Sequence, residues 1–535
     1  MADYDYVPKY NYIIVGAGAA GCVLANRLSA DPSTRVLLIE AGGSSNHPFI
    51  RMPRGLAKAM ANARFIWPFM TRAEAGSNNV AESWARGRTL GGSSAVNGMV
   101  WVRGAAADFD ELAARSSADW DWAHMAGAYR AIEDHELGAG PARGKDGPLH
   151  ITMPEDQGAL SEAVIAAGEA MGLTRVDDIN DPADRERVGY APRTIYKGKR
   201  QSAFDAFLKP AMRRANLTVV TGVTVDRVVF EGTRAVGVTG TRDGQPVTYS
   251  GREVIVSAGA LATPAILQRS GVGPAALLAS LDIPVVCDNA AIGADLFEHR
   301  GVVMQWRVPD ALSANRAFRG AGLIASVLRY ALGQRGPMSG GAYDMAAYAK
   351  SDPALDRPDL QILMAPFTFD FTRLPIRVEA HGGLNFCVYK IRPDARGEVR
   401  IASRDPQALP QIVPNYGAND DFAIVPKMVA YARSYVAQAP LGRLIEAETR
   451  PGPDHAGDNA VMAAYLQFGY ANYHASGTCR MGHDAASAVD PQLRVRGVQG
   501  LRVVDTSVFP FMLAGNTQAP AMAIAWRAAD IIALA

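Results

Sequence analysis

The stretch "YIIVGAGAAGCVLANRLSADPSTRVLLIEAGG", residues 12–43, predicts a strand, a glycine turn, a helix and a second strand. Its length of about 30 residues is typical of one βαβ unit. In such a unit Gly16 permits the tight turn, Gly18 lets a pyrophosphate approach the backbone, and Gly21 lets the helix lie close to the strand. Glu40 ends the second strand, where its carboxylate can accept from ribose hydroxyls. The unit predicts a dinucleotide site, but NAD and FAD share this geometry and both stay open.

The composition is typical of a globular protein, and the length predicts enough buried surface for two domains. The chain has 535 residues, which is too long for one ordinary core. Lys and Arg total 54 against 53 Asp and Glu, so no basic field favours nucleic acid and a small neutral partner fits best. The four cysteines show no CxxC or Cys/His metal spacing, which predicts reduced thiols, no metal site and a cytoplasmic location.

Two segments bear on export and on membranes. Residues 1–21 contain no basic segment followed by an apolar one, so no signal peptide is expected. Residues 506–526 carry no formal charge, but Pro510, Gly515 and Pro520 interrupt the run. The interruptions argue against a membrane-spanning helix and favour buried protein.

Two further segments suit a nucleotide cofactor. The first, "GRTLGGSSAVNGMVWVRGAAADFD" at residues 87–110, contains a loop at Gly91 and Ser93 whose amides and hydroxyls suit a phosphate or a flat ring. A plain structural loop is the alternative interpretation. The second, "VIVSAGALATPAILQRSGVG" at residues 254–273, predicts a strand, a turn at Gly259 and a helix, and so a second nucleotide-facing turn.

These two segments resemble the signatures of the glucose-methanol-choline (GMC) family of FAD-dependent oxidoreductases. Further segments, among them "HASGTCRMG" and "AGNTQAPAMAIAWRAAD", follow in the order that the family uses, and the resemblance is weakest over residues 305–460. It implies an α/β fold, α+β overall, in which a Rossmann-like FAD-binding domain of discontinuous segments carries a substrate-binding domain with an antiparallel sheet. The implied FAD-binding segments are 1–150, 196–304 and 461–535, and the implied substrate-binding segments are 151–195 and 305–460.

The resemblance also implies which residues contact FAD. The loop at residues 87–100 is expected to wrap the pyrophosphate and the flavin, Val223 and Ala258 to contact the adenine side, and Asp505 to hold ribityl or phosphate groups. Because residues 95–97 read "AVN", without the histidine through which some relatives attach the cofactor, FAD is expected to bind noncovalently. The implied FAD contacts are Gly16, Gly18, Ala19, Ala20, Glu40, Ala41, Trp67, Arg88, Leu90, Gly91, Ser93, Asn97, Gly98, Met99, Val100, Val223, Ala258, Tyr473, Asp505, Thr517 and Gln518.

The segment "NYHASGTCRMG", residues 472–482, leaves several roles open for His474. A metal site would usually show a second ligand two to four residues away, and no His, Cys or carboxylate stands there. A thiolate pair with Cys479 and a buried histidine held by hydrogen bonds both remain alternatives. A neutral imidazole also suits proton transfer, because its pKa lies near working pH.

The family's catalytic histidine falls on His474, so the resemblance implies that this residue takes the hydroxyl proton of an alcohol while hydride passes to flavin N5. Cys479 is then a packed, small apolar residue. The second catalytic position, Asn or His in relatives, falls on Gln518 in "GNTQAP". Gln518 is expected to donate to the substrate oxygen, and Asn472 is the next candidate for this role. Pro520 suits the first turn of a helix whose amino end is expected to point at the flavin.

The segment "MAPFTFDFT" places Phe367, Phe369 and Phe371 on one face of a strand. Most such faces belong to a core, but as pocket lining together with Tyr473 they favour a primary alcohol that is aromatic or apolar. The expected function is FAD-dependent oxidation of that alcohol to the aldehyde, with a flavin-containing lyase of the same family (cyanohydrin cleavage or decarboxylation) and a flavin-binding protein without turnover as alternatives. The expected partners are the alcohol and O2 or a quinone or cytochrome as electron acceptor, with a homodimer left open.

The segment "LIASVLRYALGQR", residues 323–335, has an apolar stripe at helical spacing. Such a stripe predicts a helix that faces the core, and a lid, a dimer surface or a peripheral membrane contact are the alternatives. The stripe consists of Leu323, Ile324, Val327, Leu328 and Ala331, opposite Ser326 and Arg329.

Overall fold

The computed structural model describes residues 9–155, 157–371 and 376–534 and contains two large β-sheets. The expectation that no signal peptide is present rests partly on residues 1–8, which lie outside the described residues. The strands of the two sheets are β1 (Tyr10–Val15), β2 (Val36–Glu40), β3 (Thr174–Arg175), β4 (Arg187–Tyr190), β5 (Leu217–Thr221), β6 (Val223–Glu231), β7 (Arg234–Arg242), β8 (Gln245–Val256), β9 (Arg300–Arg307), β10 (Met345–Ala349), β11 (Leu360–Ala365), β12 (Gly383–Lys390), β13 (Ala447–Arg450), β14 (Gly469–Ala471) and β15 (Leu501–Val503).

The first sheet has a parallel part in the strand order β5-β2-β1-β8-β15. All five residues of β2 are buried, as is typical of a parallel strand covered on both faces. The first half of β8 pairs with β7, and β7 with β6, in an antiparallel meander. Because the parallel strands come from residues far apart in the chain, the predicted Rossmann-like fold of discontinuous segments is confirmed.

The second sheet has the order β13-β9-β12-β11-β10-β4-β3, with β14 also paired to β9. Every pairing is antiparallel except that of β3 with β4, which confirms the predicted antiparallel sheet. All residues of β11 are buried, and a separate apolar core packs against this sheet. Two strands of this sheet extend past the residues expected for the substrate-binding domain, since β9 begins at Arg300, before residue 305, and β14 spans Gly469–Ala471, beyond residue 460.

Short strand pairs and helices complete the described fold. No helix among the described residues is long and apolar enough to cross a membrane. The two-stranded pairs are Ile66–Trp67 with Arg86–Gly87, Glu133–His135 with Leu149–Ile151, Ile195–Tyr196 with Lys199–Arg200, Val272–Gly273 with Cys287–Asp288, Phe369–Asp370 with Arg377–Val378, and Glu398–Arg400 with Gln411–Val413. The α-helices are α1 (Ala19–Leu28), α2 (Pro48–Arg51), α3 (Leu56–Met60), α4 (Ala106–Arg115), α5 (Trp122–Ile132), α6 (Ala159–Ala170), α7 (Lys209–Ala211), α8 (Ala262–Arg269), α9 (Ala275–Ser280), α10 (Gly320–Ala331), α11 (Val425–Val436), α12 (Asp458–Phe468) and α13 (Gln518–Ala533).

Helix α10 forms at the predicted place, but its orientation is opposite to the predicted one. Its apolar stripe is exposed, with Ile324 64% and Leu328 58% accessible, whereas Ser326 is buried. The prediction of a core-facing helix was therefore wrong. Helical spacing shows which residues share a face, but it does not show what covers that face.

Candidate active site

Five of the predicted cofactor contacts lie at one edge of the first sheet, where the carboxyl ends of its parallel strands meet. Gly16 follows β1, Glu40 ends β2, Val223 comes just after β5, Ala258 follows β8, and Asp505 follows β15. In open α/β sheets ligands bind in the crevice outside this edge. The fold thus assembles in space a set of residues that the sequence scatters over the chain.

The glycine turn between β1 and α1 is closely packed except at one position. A Cβ atom on Gly16, whose φ is +102°, would lie 2.6 Å from the Ser257 carbonyl oxygen, and one on Gly21 would lie 1.9 Å from the Gly16 oxygen. At Gly18 the nearest atom to such a Cβ is the Ser257 oxygen at 3.9 Å. Gly16 and Gly21 are therefore needed for packing, whereas the backbone at Gly18 has free space where a phosphate can approach.

The Glu40 carboxylate is held in place by backbone amides at the end of β2. Its two oxygens accept from the amides of Ala17 at 2.9 Å and Gly42 at 2.8 Å. Burial raises the pKa of Glu40 to about 7, and these hydrogen bonds act against that rise. Each oxygen keeps a further lone pair that can accept from a ribose hydroxyl.

The first signature loop lies directly on the glycine turn. The Gly91 amide donates to the Ala17 carbonyl at 2.8 Å, and the Leu90 amide donates to the Gly43 carbonyl at 3.0 Å. The loop therefore lies beside the predicted phosphate position and can supply further donors there. Of the other predicted contacts, Ala19 and Ala20 begin α1, Ala41 follows β2, Ser93 Oγ accepts from the Gly87 amide at 3.1 Å, and the Arg88 guanidinium lies 4.5 Å from the centre of the Trp67 ring.

Asp505 ties the second signature turn to the chain after β15. One carboxylate oxygen accepts from the Gly259 amide at 2.8 Å and from the Thr263 hydroxyl at 2.6 Å, and the other accepts from the Ser507 amide at 2.8 Å. In the protein itself the carboxylate therefore organises two turns. A hydrogen bond to ribityl or phosphate groups stays a prediction.

Gln518 and Asn97 meet across the site. Asn97 donates to the Gln518 side-chain oxygen, and the Arg200 guanidinium donates to Asn97 Oδ1 at 2.8 Å. The Gln518 Nε2 is buried and has no hydrogen-bond partner among the described residues. Because Thr517 is the N-cap of α13, Gln518 also stands at the positive end of that helix.

Two residues without glycine's freedom adopt left-handed backbone angles at the site. Met99 has φ of +67° and Tyr473 has φ of +64°. Such conformations are costly and cluster where the surrounding structure imposes them, as it does at active sites. Around the same loop, the Gly98 carbonyl accepts from the Ala342 amide at 3.1 Å, the Met99 carbonyl accepts from the Thr194 amide at 2.9 Å, and Val100 pairs with Arg193.

His474 lies at the centre of a chain of hydrogen bonds. Its Nδ1 lies 2.9 Å from Nδ1 of His299, whose Nε2 lies 2.5 Å from the Ile391 carbonyl oxygen. Its Nε2 lies 3.0 Å from Nδ2 of Asn516, and the Oδ1 of Asn516 accepts from Gln361 at 3.4 Å. His474 is 7% exposed and His299 is fully buried.

These partners assign the tautomer of His474. A carbonyl only accepts, so His299 Nε2 carries the proton that it donates to Ile391, and His299 Nδ1 is left as an acceptor. Nδ1 of His474 must then donate to His299, which leaves a lone pair on His474 Nε2. The Asn516 amide donates to this lone pair. A neutral imidazole with Nε2 unprotonated is the form that accepts a proton.

Burial keeps both imidazoles neutral. Desolvation lowers the pKa of His474 well below 6.5, helped by His299 and Arg86, and it lowers the pKa of His299 to about 4. Glu298 accepts from the His474 backbone amide at 2.7 Å and pairs with Arg86 at 3.3 Å, so its carboxylate fixes the backbone and not the ring. Tyr473, beside the base, is 39% exposed and is the most exposed of the three predicted substrate contacts.

The other two candidate substrate contacts lie in an aromatic row. Phe367 packs edge-on against Phe318 at 5.5 Å and against Phe369 at 5.3 Å, and the Arg54 guanidinium lies 4.3 Å from the Phe367 ring. Arg54 also packs against Gly340, close to the segment that bonds the flavin loop. Arg54 therefore connects the row to that segment, and Phe367 itself is 3% exposed.

The thiol of Cys479 is not set up as a partner for His474. It is fully buried in the apolar core of the first sheet, and burial raises its pKa far above the usual range. A thiolate is strongly disfavoured there.

Asn472 is the second candidate for positioning the substrate oxygen. Its side-chain amide donates to the His299 carbonyl at 3.1 Å. The amide that faces the base is Asn516.

The residues present fit FAD. The free space at the Gly18 backbone suits a pyrophosphate, and the oriented Glu40 carboxylate suits a ribose. The positive helix end at Gln518 suits the electron-rich edge of a flavin ring. Three buried polar atoms in these segments have no partner among the described residues: Arg88 Nε, Ser257 Oγ and Gln518 Nε2. Unpaired buried donors of this kind call for a polar ligand.

Sequence reasoning missed the residues that orient the base. His299, Glu298 and Asn516 have no spacing relation to His474, because His299 is 175 residues away and reaches the site only through the pairing of distant segments. Asn516 lies in the segment "GNTQAP", two residues before Gln518, so the sequence signal that identified Gln518 could also have identified Asn516. The paired histidines could not have been found from either local segment alone.

Comparison with known proteins assigns this arrangement to a family. Two models described as GMC oxidoreductase match residues 10–300 and 393–525. An uncharacterised GMC-type oxidoreductase of Mycobacterium tuberculosis is 38% identical over 537 residues, covering 98% of this chain and 99% of that protein. An alcohol dehydrogenase (acceptor) of Pseudomonas putida is 35% identical, covering 98% and 95%. The crystal structure of pyridoxine 4-oxidase from Mesorbium loti superposes with a TM-score of 0.86 at 30% identity, covering 98% and 99%.

Proposed function

The chain belongs to the GMC family of FAD-dependent oxidoreductases, and we propose that it oxidises a primary alcohol, aromatic or apolar, to the aldehyde with His474 as the base. The observation that carries the proposal is the Nε2 lone pair of a buried, neutral His474, held by a tautomer that His299 fixes. When bound, FAD supplies the hydride acceptor, flavin N5. The name of the Pseudomonas putida relative supports an alcohol as substrate.

Side chains at the site accept the proton and position the substrate. The substrate hydroxyl replaces the Asn516 amide as the donor to His474 Nε2, which then takes the hydroxyl proton. The freed Asn516 amide and the unpaired Nε2 of Gln518 are the donors available to the alcohol oxygen. Asn97, whose Oδ1 accepts from Arg200, donates to the Gln518 side-chain oxygen, so the Gln518 amide nitrogen is directed away from Asn97. Together these contacts fix the position of the reacting carbon.

The class of alcohol is proposed from the side chains around the base. Tyr473 offers a partly exposed aromatic ring next to His474, and no carboxylate among the described residues hydrogen-bonds the His474 ring. We propose that Phe367 and Phe369, whose rings pack edge-on against each other, line the substrate pocket. Aromatic walls favour apolar substrates over sugars, which need many polar partners.

Anaerobic mixing of the purified holoenzyme with a panel of alcohols tests this function. We expect loss of the oxidised flavin absorbance and formation of the matching aldehyde with aryl or apolar primary alcohols, and little response to sugars. Absence of bleaching with every alcohol would contradict the proposal. Turnover without net bleaching, tested with cyanohydrins and fatty acids, would favour the lyase alternative.

The same sample identifies the electron acceptor. After bleaching by the best alcohol, air is admitted to one portion and an anaerobic quinone or cytochrome to another. Recovery of the flavin absorbance in air assigns an oxidase. Recovery with the quinone or cytochrome alone assigns a dehydrogenase.

A further inference from the structure

Helix α10 presents its apolar side to solvent along its whole length. Leu323 and Val327 are each 38% accessible, and Leu332, just after the helix, is 76% accessible. With Ile324 and Leu328 they repeat at intervals of four residues, which places them on one side of the helix. An apolar side of this kind on a water-facing helix marks an interaction surface.

The chain segment that carries this surface is basic. Residues 311–343 contain four arginines and no Asp or Glu. Arg316 and Arg329 are exposed, and neither they nor Arg319 form an ion pair with any described residue. Arg335 is paired with Glu155 at 2.9 Å. Positive charge without a carboxylate partner among the described residues therefore lies before the helix, at Arg316 and Arg319, and near its end, at Arg329.

A neighbouring helix adds to the charge. The Tyr330 hydroxyl lies 3.5 Å from the Arg51 carbonyl oxygen, so the end of α2 lies beside α10. Arg51 is exposed and its guanidinium bonds the neutral Asn46 at 3.1 Å. The basic surface thus extends from α10 to α2.

We propose that α10 docks this protein on the surface of an anionic phospholipid membrane. Helices that lie in the membrane interface insert apolar side chains below the headgroups and hold basic residues at the phosphates. Leu323, Ile324, Val327, Leu328 and Leu332 supply the first part, and the unpaired arginines supply the second.

A second copy of the chain is a poorer occupant. A twofold contact through α10 would place this apolar stripe against its own copy. It would also bring Arg316 and Arg329 of one copy close to the same arginines of the other, and like charges across an interface oppose association. Anionic headgroups complement the same arginines.

The chain on both sides of α10 contacts segments that carry predicted site residues. The chain after α10 runs to Ala342, whose amide bonds the Gly98 carbonyl of the flavin loop at 3.1 Å. Before α10, Phe318 packs against Phe367 of the aromatic row. Docking of α10 would therefore be felt by the flavin loop and by the aromatic row.

Vesicle flotation with the purified holoenzyme tests the docking. The probes are phosphatidylcholine vesicles with and without phosphatidylglycerol, at low and at physiological salt. We expect binding to the anionic vesicles only, weakened by salt because the interaction between exposed charges is screened. Failure to bind anionic vesicles, or equal binding to neutral ones, would overturn the proposal.

Variants assign the binding to α10. The double variant I324Q/L328Q should bind at least about tenfold more weakly, and Arg329→Gln roughly fivefold more weakly. The control M212Q/V285Q changes two similarly exposed apolar residues elsewhere and should bind like wild type. Unchanged binding by I324Q/L328Q, or equal loss by the control, rejects α10 as the docking surface. Loss of a dimer in I324Q/L328Q, measured by light scattering, would assign the surface to a second copy instead.

Discussion

The glycine turn after β1 and the pocket around His474 are both buried, but they are held together by different groups. In the turn, backbone packs on backbone, so that a single Cβ atom at Gly16 or Gly21 would collide with a carbonyl oxygen. In the pocket, side chains from distant segments bond one another, from Ile391 through His299 and His474 to Asn516. Side chains at Gly16 or Gly21 are therefore excluded by the packing of the backbone, whereas the pocket depends on hydrogen bonds between side chains.

This difference separates cofactor binding from catalysis in the proposed enzyme. Changes in the pocket should alter the rate of flavin reduction while FAD stays bound. Changes in the glycine turn or at Glu40 should weaken FAD binding and leave the rate of the FAD-saturated protein unchanged. A variant that changed the rate of reduction and the FAD affinity equally would show that the two functions share the same residues.

The largest effect on rate is expected at the base. His474→Ala should keep FAD bound and slow flavin reduction by roughly 100- to 10,000-fold, the range for removal of a positioned proton acceptor. Stopped-flow absorbance at saturating alcohol measures it. Cys479→Ser is the control and should reduce at nearly the wild-type rate, since that thiol is buried in the core. Reduction of His474→Ala at the wild-type rate would mean that the histidine has a structural role only.

Gln518 is expected to have the next largest effect. Gln518→Ala removes the unpaired amide donor and should slow flavin reduction by roughly 10- to 1,000-fold. Gln518→Asn keeps the donor on a shorter side chain and should fall between Ala and wild type. If Gln518→Ala reduces as fast as wild type, Asn516 alone positions the alcohol oxygen.

His299 should affect the rate through the ring of His474. His299→Leu removes the acceptor for Nδ1–H of the base and should slow reduction by about 2- to 12-fold, the net value of one hydrogen bond. His299→Asn offers an oxygen near the same place and should restore much of the loss. Nitrogen NMR of labelled histidine reports the tautomer directly, and an unchanged tautomer in His299→Leu would refute the positioning role.

The smallest effect on rate is expected at Glu40. Glu40→Ala should weaken FAD binding by about 2- to 12-fold for each ribose hydrogen bond lost, whereas the FAD-saturated variant should be reduced at the wild-type rate. Titration of the apoprotein with FAD measures the affinity, with Glu40→Gln as the matched control. Acid precipitation of the wild type should release the flavin, and flavin retained in the pellet would contradict noncovalent binding.

The residues of the glycine turn and of the end of β2 were predictable, because their roles depend on the local sequence. Gly16, Gly18, Gly21 and Glu40 lie within one βαβ unit, and each contributes through its backbone or its place at a strand end. The family resemblance extended this prediction to the FAD and to the two-sheet fold. Both are consistent with the comparisons.

The geometry of the pocket and the setting of α10 were not predictable in the same way. Asn516 was visible in a quoted motif, but nothing local showed that its amide faces His474, and His299 reaches the base only through tertiary structure. In α10 the spacing of the apolar residues was correct, but it could not show whether protein covers them. Local pattern specifies an element, and only the packing of distant elements specifies its neighbours.

The pH dependence of flavin reduction tests the central claim, that a buried neutral His474 is the base. Protonation inactivates a base, and because burial lowers the pKa of His474, its neutral form should persist to below pH 6.5. We therefore expect the rate at saturating alcohol to stay constant from neutral pH down past 6.5 and to fall only in more acidic solution, with this acid limb absent from His474→Ala. A wild-type rate that falls at or above pH 6.5, or the same acid limb in His474→Ala, would contradict the claim.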